Sequence, residues 1–215
     1  MDKISVIIRN RNEEQYIGFA IQSCIDYFNH PEIIIVDNQS TDNSLGVVNL
    51  FKDRADIKVI KIDDYTPGKS INLGVQHATH DYILVLSAHA QIIDIDSQEL
   101  IKSFKKKKYV AVFGNQNPIY KGKKITKRYI WSHFVDTNNI NMFSDIENRF
   151  FLHNGFCFYP KQILIDYPMP EEYSGKEDRF WARMMVEKGS KYLYSNEQKC
   201  NHFYTEGGAT WKGIG

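Results

Sequence analysis

Apolar positions in the first ninety residues follow two alternating patterns. The run Ile4–Ile8, followed by polar Arg9-Asn10-Arg11-Asn12, predicts a buried strand. Ile17, Ile21, Cys24, Ile25 and Phe28 then recur at offsets of four, seven, eight and eleven, which places them on one helix face. Asn12-Glu13-Glu14 reads as the cap and acidic first turn of that helix. Glu32–Val36 predicts a second strand, which ends in the turn and N-cap chemistry of Asp37-Asn38-Gln39-Ser40-Thr41-Asp42. Leu45, Val48 and Phe51 mark a second helix, and Ile57–Ile62 a third strand. Gly68–Ala78 reads as a third helix and Tyr82–Leu86 as a fourth strand.

The second half is less regular. Leu100–Phe104 predicts a helix and Tyr109–Phe113 a strand. Residues 115–150 mix polar, basic and aromatic types without a period, and read as loops and short helices over a sheet edge. Gly175–Lys188 is the clearest late helix, with Glu177 and Asp178 in its first turn and Phe180, Trp181, Met184 and Met185 on its apolar face. Lys191–Tyr194 predicts a last strand before a polar, aromatic tail. Strands separated by helices of this length imply parallel crossovers, hence an α/β fold. Polar clusters follow the strands at Arg9–Asn12, Asp37–Asp42 and Ser87–His89. In an open α/β sheet such clusters converge outside the carboxyl ends of the strands, where ligands bind.

Composition narrows the function class. The chain has 215 residues, 27 Lys plus Arg against 26 Asp plus Glu, and a net charge of +1. That balance argues against a general electrostatic hold on nucleic acid. Apolar residues make up 42% and aromatics 13%, enough for a filled core. Cys24, Cys157 and Cys200 are odd in number and widely spaced, which fits neither a disulfide framework nor a Cys-x-x-Cys site and suits a reducing cytoplasm. No apolar run approaches the roughly 20 residues of a membrane span. Residues 1–4 carry no secretory pattern. The tail Trp211–Gly215 has no clear final element, which leaves room for a longer natural chain.

Several residues are candidates for chemistry, each with a plainer alternative. Asp37, at a strand end, either accepts hydrogen bonds from a nucleoside or belongs to the helix-capping turn. Gly68-Lys69-Ser70 lacks P-loop spacing, so Lys69 either meets a phosphate or is solvated. His89 and His202 either share a metal or pack separately. Glu177 and Asp178 point about 100° apart on a helix, so one can balance the dipole while the other acts as a base. Arg183 either meets an anionic substrate or is a surface charge, and Gly155 beside Asn154 either admits a ligand or makes a turn. The basic runs Lys105–Lys108 and Lys121–Arg128 are either solvated faces or contacts for an anionic membrane surface or glycan.

In order along the chain, these segments resemble the family 2 glycosyltransferases. Ile4–Glu13 looks like that family's opening strand and nucleotide loop, Ile34–Asp42 its second-strand signature, and Gly68–Gly74 the segment after its third strand. Gly175-Lys176-Glu177-Asp178 with Trp181 and Arg183 resembles its late acidic motif. The family's Asp-x-Asp position reads Ser87-Ala88-His89 here, similar to a bacterial subgroup labelled rhamnosyltransferase-like. The resemblance implies a glycosyltransferase A-type fold, with a Rossmann-like, mostly parallel sheet and a less regular C-terminal half. It implies one domain over 1–215, with 1–90 binding nucleotide and 91–215 binding acceptor.

The implied activity is inverting transfer from a nucleotide-sugar to a hydroxyl of a glycan or lipid-linked glycan, in bacterial surface polysaccharide such as capsule or lipopolysaccharide. Asp178 is the implied base, with Glu177 orienting the site. Arg9, Arg11, Glu13, Asp37 and Lys69 are implied around the nucleotide, and Asn154, Gly155, Trp181 and Arg183 around the sugar or acceptor. His89 and His202 are implied metal ligands, and imidazole favours Mn²⁺ over Mg²⁺; metal-independent transfer stays open. The expected location is cytoplasmic, with a possible place at the inner face of the membrane. Two rival readings are a non-catalytic nucleotide-sugar or glycan-binding module and a nucleotidyltransferase. The Glu177-Asp178 pair opposes the first, and the glycine-free loop Arg9–Asn12 the second.

Overall fold

The computed structural model describes residues 3–124, 129–206, 208 and 211. The first strand, β1 (Ile4–Asn10), is followed by α1 (Ile17–Tyr27), β2 (Glu32–Asp37), α2 (Ser44–Asn49) and β3 (Asp56–Lys61). Next come α3 (Pro67–His77), β4 (Tyr82–Ser87), β5 (Ala90–Asp94), α4 (Ser97–Lys105) and β6 (Val112–Tyr120). Four two-residue strands follow: β7 (Lys123–Lys124), β8 (Asn139–Ile140), β9 (Phe143–Ser144) and β10 (Arg149–Phe150). The chain then forms β11 (Phe156–Pro160), α5 (Lys161–Asp166), α6 (Glu177–Glu187) and β12 (Leu193–Phe203).

The main sheet runs in the order β3-β2-β1-β4-β11-β6-β12-β5. β1 pairs in parallel with β2 and β4, and β2 with β3. β11 and β5 run against their neighbours, while β6 and β12 are parallel to each other. The result is a mixed, mostly parallel sheet, and it is continuous across residue 90.

Alternation within buried strands splits the core into two layers. Ile7 packs with Ile34, Val36 and Val85 under α3, which contributes Ile71 and Val75. Val6 and Ile8 pack with Ile33, Ile35, Leu84 and Leu86 under α1, which contributes Ile17, Ala20, Ile21 and Cys24. α3 approaches β1 closely because position 74 is glycine: a Cβ there would lie 2.6 Å from Ile7 Cγ2.

Some expected details are corrected. α1 begins at Ile17 without an acidic first turn or a side-chain cap. Asn12 and Glu14 instead reach across to the segment before α2: Asn12 Oδ1 accepts from Thr41 N at 2.8 Å, and Glu14 Oε2 from Asn43 N at 2.8 Å. Phe180 lies off the apolar face of α6, 39% exposed and stacked on Tyr173, while Trp181, Ala182 and Met185 are buried. The strand expected at Tyr109–Phe113 starts at Val112 and continues to Tyr120, into the segment expected to be loops and short helices. β12 runs nine residues past Tyr194, through the expected tail. All three cysteines are buried and unbridged. Among the described residues no helix is long and apolar enough to cross a membrane. Part of the basic run Lys121–Arg128, at residues 125–128, and the tail residues 212–215 lie outside the described residues.

Candidate active site

The carboxyl ends of β1, β2 and β4 open onto a cavity of about 350 Å³. The first half of the chain lines it with Arg9, Asn10, Arg11, Glu13, Asn38, Tyr65, Ser87 and His89. The second half adds Arg149, His153, Asn154, Gly155 and the run Ser174–Arg179. Three of the polar clusters read from the sequence therefore meet at one edge, as the topology requires.

The acidic pair at the start of α6 is divided by its neighbours. Glu177 is buried, and its Oε1 accepts from Arg9 Nη1 and from Asn154 Nδ2, each at 3.2 Å. Lys176 N donates to Glu177 Oε2 at 3.2 Å. Asn154 is itself fixed, its Oδ1 accepting from the Tyr159 hydroxyl at 2.5 Å. Asp178 has no side-chain donor of this kind. Among the described residues its carboxylate accepts from backbone alone, Asn154 N at 3.3 Å and Arg179 N at 2.8 Å. Burial pushes its pKa up, the charge of Glu177 adds to that, and the net position is about 7. Lys176, just before the pair, has φ +124°, a conformation costly for a residue with a Cβ and typical of functional turns.

A second cluster lies at the turn between β4 and β5. His89 Nδ1 is 2.9 Å from Glu13 Oε1. Strand pairing brings His202 beside it: His202 pairs opposite Ala90, and Phe203 N donates to His89 O at 2.8 Å. The two imidazole rings are 4.7 Å apart between centroids. His202 is fully buried, and its Nε2 has no hydrogen-bond partner among the described residues; nor has Glu13 Oε2. Burial, with the charges of His89 and His153, pushes the His202 pKa far down, so its imidazole is neutral. Among the described residues no three His, Cys, Asp or Glu side chains converge closely enough to hold a metal alone.

Among the expected site residues, His202 is buried beside His89 and does not line the cavity, and four more are not brought to it. Lys69 is paired with exposed Asp64, beyond the cavity wall. Asp37 is buried under its own turn, accepting from Asn10 Nδ2 at 2.8 Å and Ser40 Oγ at 2.6 Å. There it holds Asn10 and the turn, while Asn10 and Asn38 line the cavity. Trp181 is fully buried, donating from Nε1 to Tyr167 O at 2.8 Å, because α6 turns it into the core. Arg183 lies on the outer face of α6, 69% exposed and paired with Glu187 at 2.7 Å.

Sequence reasoning missed Arg149 and Arg179, which line the cavity and are both braced by Glu147, at 2.5 and 3.6 Å. Arg179 directly follows the acidic pair and was within reach of the motif, whereas Arg149 sits in the aperiodic segment and offered no signal. Gln116 lies in the same aperiodic segment, whereas His153 directly precedes the Asn154-Gly155 pair that the sequence does single out.

Comparison with known proteins bears on the family and the fold. The family model described as glycosyl transferase family 2 matches residues 5–167. A poly-β-1,6-N-acetyl-D-glucosamine synthase from Staphylococcus epidermidis is 28% identical over 118 residues, 54% of this chain and 29% of that protein. A dolichyl N-acetyl-α-D-glucosaminyl phosphate 3-β-D-2,3-diacetamido-2,3-dideoxy-β-D-glucuronosyltransferase from Methanococcus voltae is 34% identical over 101 residues, 42% of this chain and 30% of that protein. This chain thus aligns with about a third of the length of these relatives. Among solved structures, S. aureus TarS 1-349 in complex with UDP-GlcNAc superposes with a TM-score of 0.70 at 20% identity, covering 96% of this chain and 60% of that one. The mannosyltransferase PcManGT from Pyrobaculum calidifontis, in complex with GDP-Man and Mn²⁺, gives 0.72 at 16%, covering 98% and 60%. The match over most of its length shows that the chain belongs to glycosyl transferase family 2.

Proposed function

We propose that this chain binds a nucleotide-sugar in the cavity and transfers the sugar, with inversion, to a hydroxyl of a glycan or lipid-linked glycan. The observation that carries this reading is Asp178, a carboxylate on the cavity wall whose pKa of about 7 suits a general base near neutral pH. Asp178 takes the acceptor hydroxyl proton as that oxygen forms its bond to the anomeric carbon. The bond from the anomeric carbon to phosphate breaks, and the nucleoside diphosphate leaves with the electron pair. Arg9 holds Glu177 and Asn154 in register, so that the base stands on a fixed helix start. Arg9, Arg11 and Glu13, with Asn10 and Asn38, form the nucleotide side. Asn154, Gly155, Arg149 and Arg179 form the sugar and acceptor side. In this division residues 1–90 bind the nucleotide and 91–215 the acceptor.

The residues present fit a divalent cation. The Nε2 of His202, without a partner among the described residues, is buried beside His89, and such an atom is costly unless a ligand takes it up. His89 and His202 would hold the ion, with the diphosphate supplying the remaining positions. When bound, the ion would offset the charge of the leaving diphosphate. The imidazole donors favour Mn²⁺ over Mg²⁺, and Mn²⁺ is present in the PcManGT complex. The relatives' names support a polysaccharide product and UDP-linked donors. The lysines of Lys105–Lys108 offer a peripheral contact for an anionic membrane surface. A panel of nucleotide-sugars, each scored with and without Mn²⁺ for thermal stabilisation and then for hydrolysis, tests the reading. Metal-dependent stabilisation followed by donor turnover is expected. Binding without hydrolysis or transfer from any donor would leave a binding module instead.

A further inference from the structure

We propose that Gln116 and His153 are positioning residues that lock His202 in its Nδ1–H tautomer, so that the Nε2 lone pair is its fixed donor. The inference deepens the cation site proposed above and rests on that reading for its purpose, though not for its geometry.

The lock follows from one donor that cannot change role. Gly155 N–H donates to His153 Nδ1 at 3.1 Å. A backbone N–H only donates, so His153 Nδ1 must carry a lone pair. Gln116 meets the same nitrogen at 2.9 Å. Only its amide NH₂ satisfies a lone pair, which sets the orientation of the amide regardless of how its two ends look alike. Its Oε1 then faces the other way, 2.7 Å from His202 Nδ1. An oxygen acceptor at that distance requires hydrogen on Nδ1. A neutral imidazole with Nδ1–H has its lone pair on Nε2, the atom that has no partner among the described residues.

All three side chains are buried, so water does not compete for these positions. Gly155 completes the arrangement. A Cβ at that position would lie 2.8 Å from Gln116 Oε1 and 2.8 Å from His153 Nδ1, which only glycine avoids. Fixing the tautomer through the second ring nitrogen is how outer groups orient metal-binding imidazoles. Here the outer group is a neutral amide, itself oriented by a histidine.

Side-chain ¹⁵N–¹H spectra of the metal-free protein test the lock directly, with His153 and His202 assigned by single replacement. His202 is expected to be protonated at Nδ1 and His153 at Nε2; His202 protonated at Nε2 overturns the proposal. Mn²⁺ binding, followed by loss of the free-ion paramagnetic signal, tests the consequence. Gln116→Leu should mix the His202 tautomers and weaken Mn²⁺ binding by roughly 10–100-fold. Gln116→Met keeps the side-chain length but offers His202 Nδ1 no oxygen and His153 Nδ1 no donor, so it should lose affinity to a similar extent; wild-type affinity with a single His202 tautomer in Gln116→Met would mean a packing role and overturn the lock. Expected tautomers in a protein that binds no Mn²⁺ would support the lock and remove the cation reading.

Discussion

Replacing Asp178 with asparagine should abolish sugar transfer and stabilise the protein above neutral pH. The carboxyl is displaced from an ordinary 3.8 to about 7. The folded state therefore holds its proton to higher pH than the unfolded chain does. Between about pH 4 and pH 7 the native state binds more protons, so wild-type stability falls as pH rises through that window and levels off above it. Roughly three pKa units at 1.36 kcal/mol each set a ceiling of about 4 kcal/mol. Asp178 borders an open cavity, where the effective dielectric is nearer 20 than 4, and an expectation of about 1–2 kcal/mol is more realistic. In a chain of this size each kcal/mol corresponds to roughly 2–4 °C in Tm. Asparagine keeps one acceptor oxygen for the two backbone donors and does not titrate. Melting curves of the two proteins, run from pH 4 to pH 9, should coincide at the acid end and separate toward pH 7, with the variant higher. Loss of the base should lower kcat by about 10²–10⁴, with nucleotide affinity nearly intact. Parallel melting curves at every pH, or turnover at the wild-type rate, would refute the reasoning.

His89→Ala should remove the Mn²⁺ dependence of nucleotide binding measured by calorimetry; unchanged affinities with and without the metal in both proteins would count against His89 as a ligand. Gly74→Ala should destabilise by about 1–3 kcal/mol in denaturant unfolding, because its Cβ meets Ile7 of a strand packed on both faces. Lys69→Ala should leave nucleotide affinity within about twofold, since the ammonium is paired with Asp64 on the surface; a larger loss would place Lys69 in the site after all.

The first half of the fold was legible because β1, β2 and β4 are buried on both faces and the helices beside them on one. Those conditions write unbroken isoleucine runs and a 3.6-residue stripe directly into the chain. β5 and most of β12 escaped notice for a physical reason. Their sequences, Ala90–Asp94 and Asn196–Phe203, carry little apolar pattern because β5 is the edge strand, with its last two residues exposed, and the inward positions of that part of β12 are Gln198, Cys200 and His202 rather than large apolar side chains. Yet this pairing is what sets His202 beside His89, so the distance between the two histidines could not be read from spacing. Resemblance named both residues, and strand register supplied their meeting. The same limit explains Trp181 and Arg183. They belong to a recognisable motif, but a helix that offers its first turn to the cavity must send later residues to the core and to solvent.

The Glu177-Asp178 pair illustrates how little of a site is contained in residue types. Two adjacent carboxylates enter the same helix turn with nearly equal intrinsic acidity. What separates them is the 100° step of the helix, which turns one toward the end of β1 and the other along the cavity wall. At the end of β1, Arg9 and Asn154 occupy Glu177 Oε1 with two donors. Among the described residues Asp178 receives backbone donors only; burial raises its pKa, and the Glu177 charge beside it raises it further. The ion pair thus fixes one acid as scaffold, and that acid's charge helps make the other a base. A lone Asp178 would be a stronger acid and a weaker proton acceptor. Removing the Glu177 charge should therefore lower the acid limb of the pH–rate profile, an effect opposite to that of simply loosening the site.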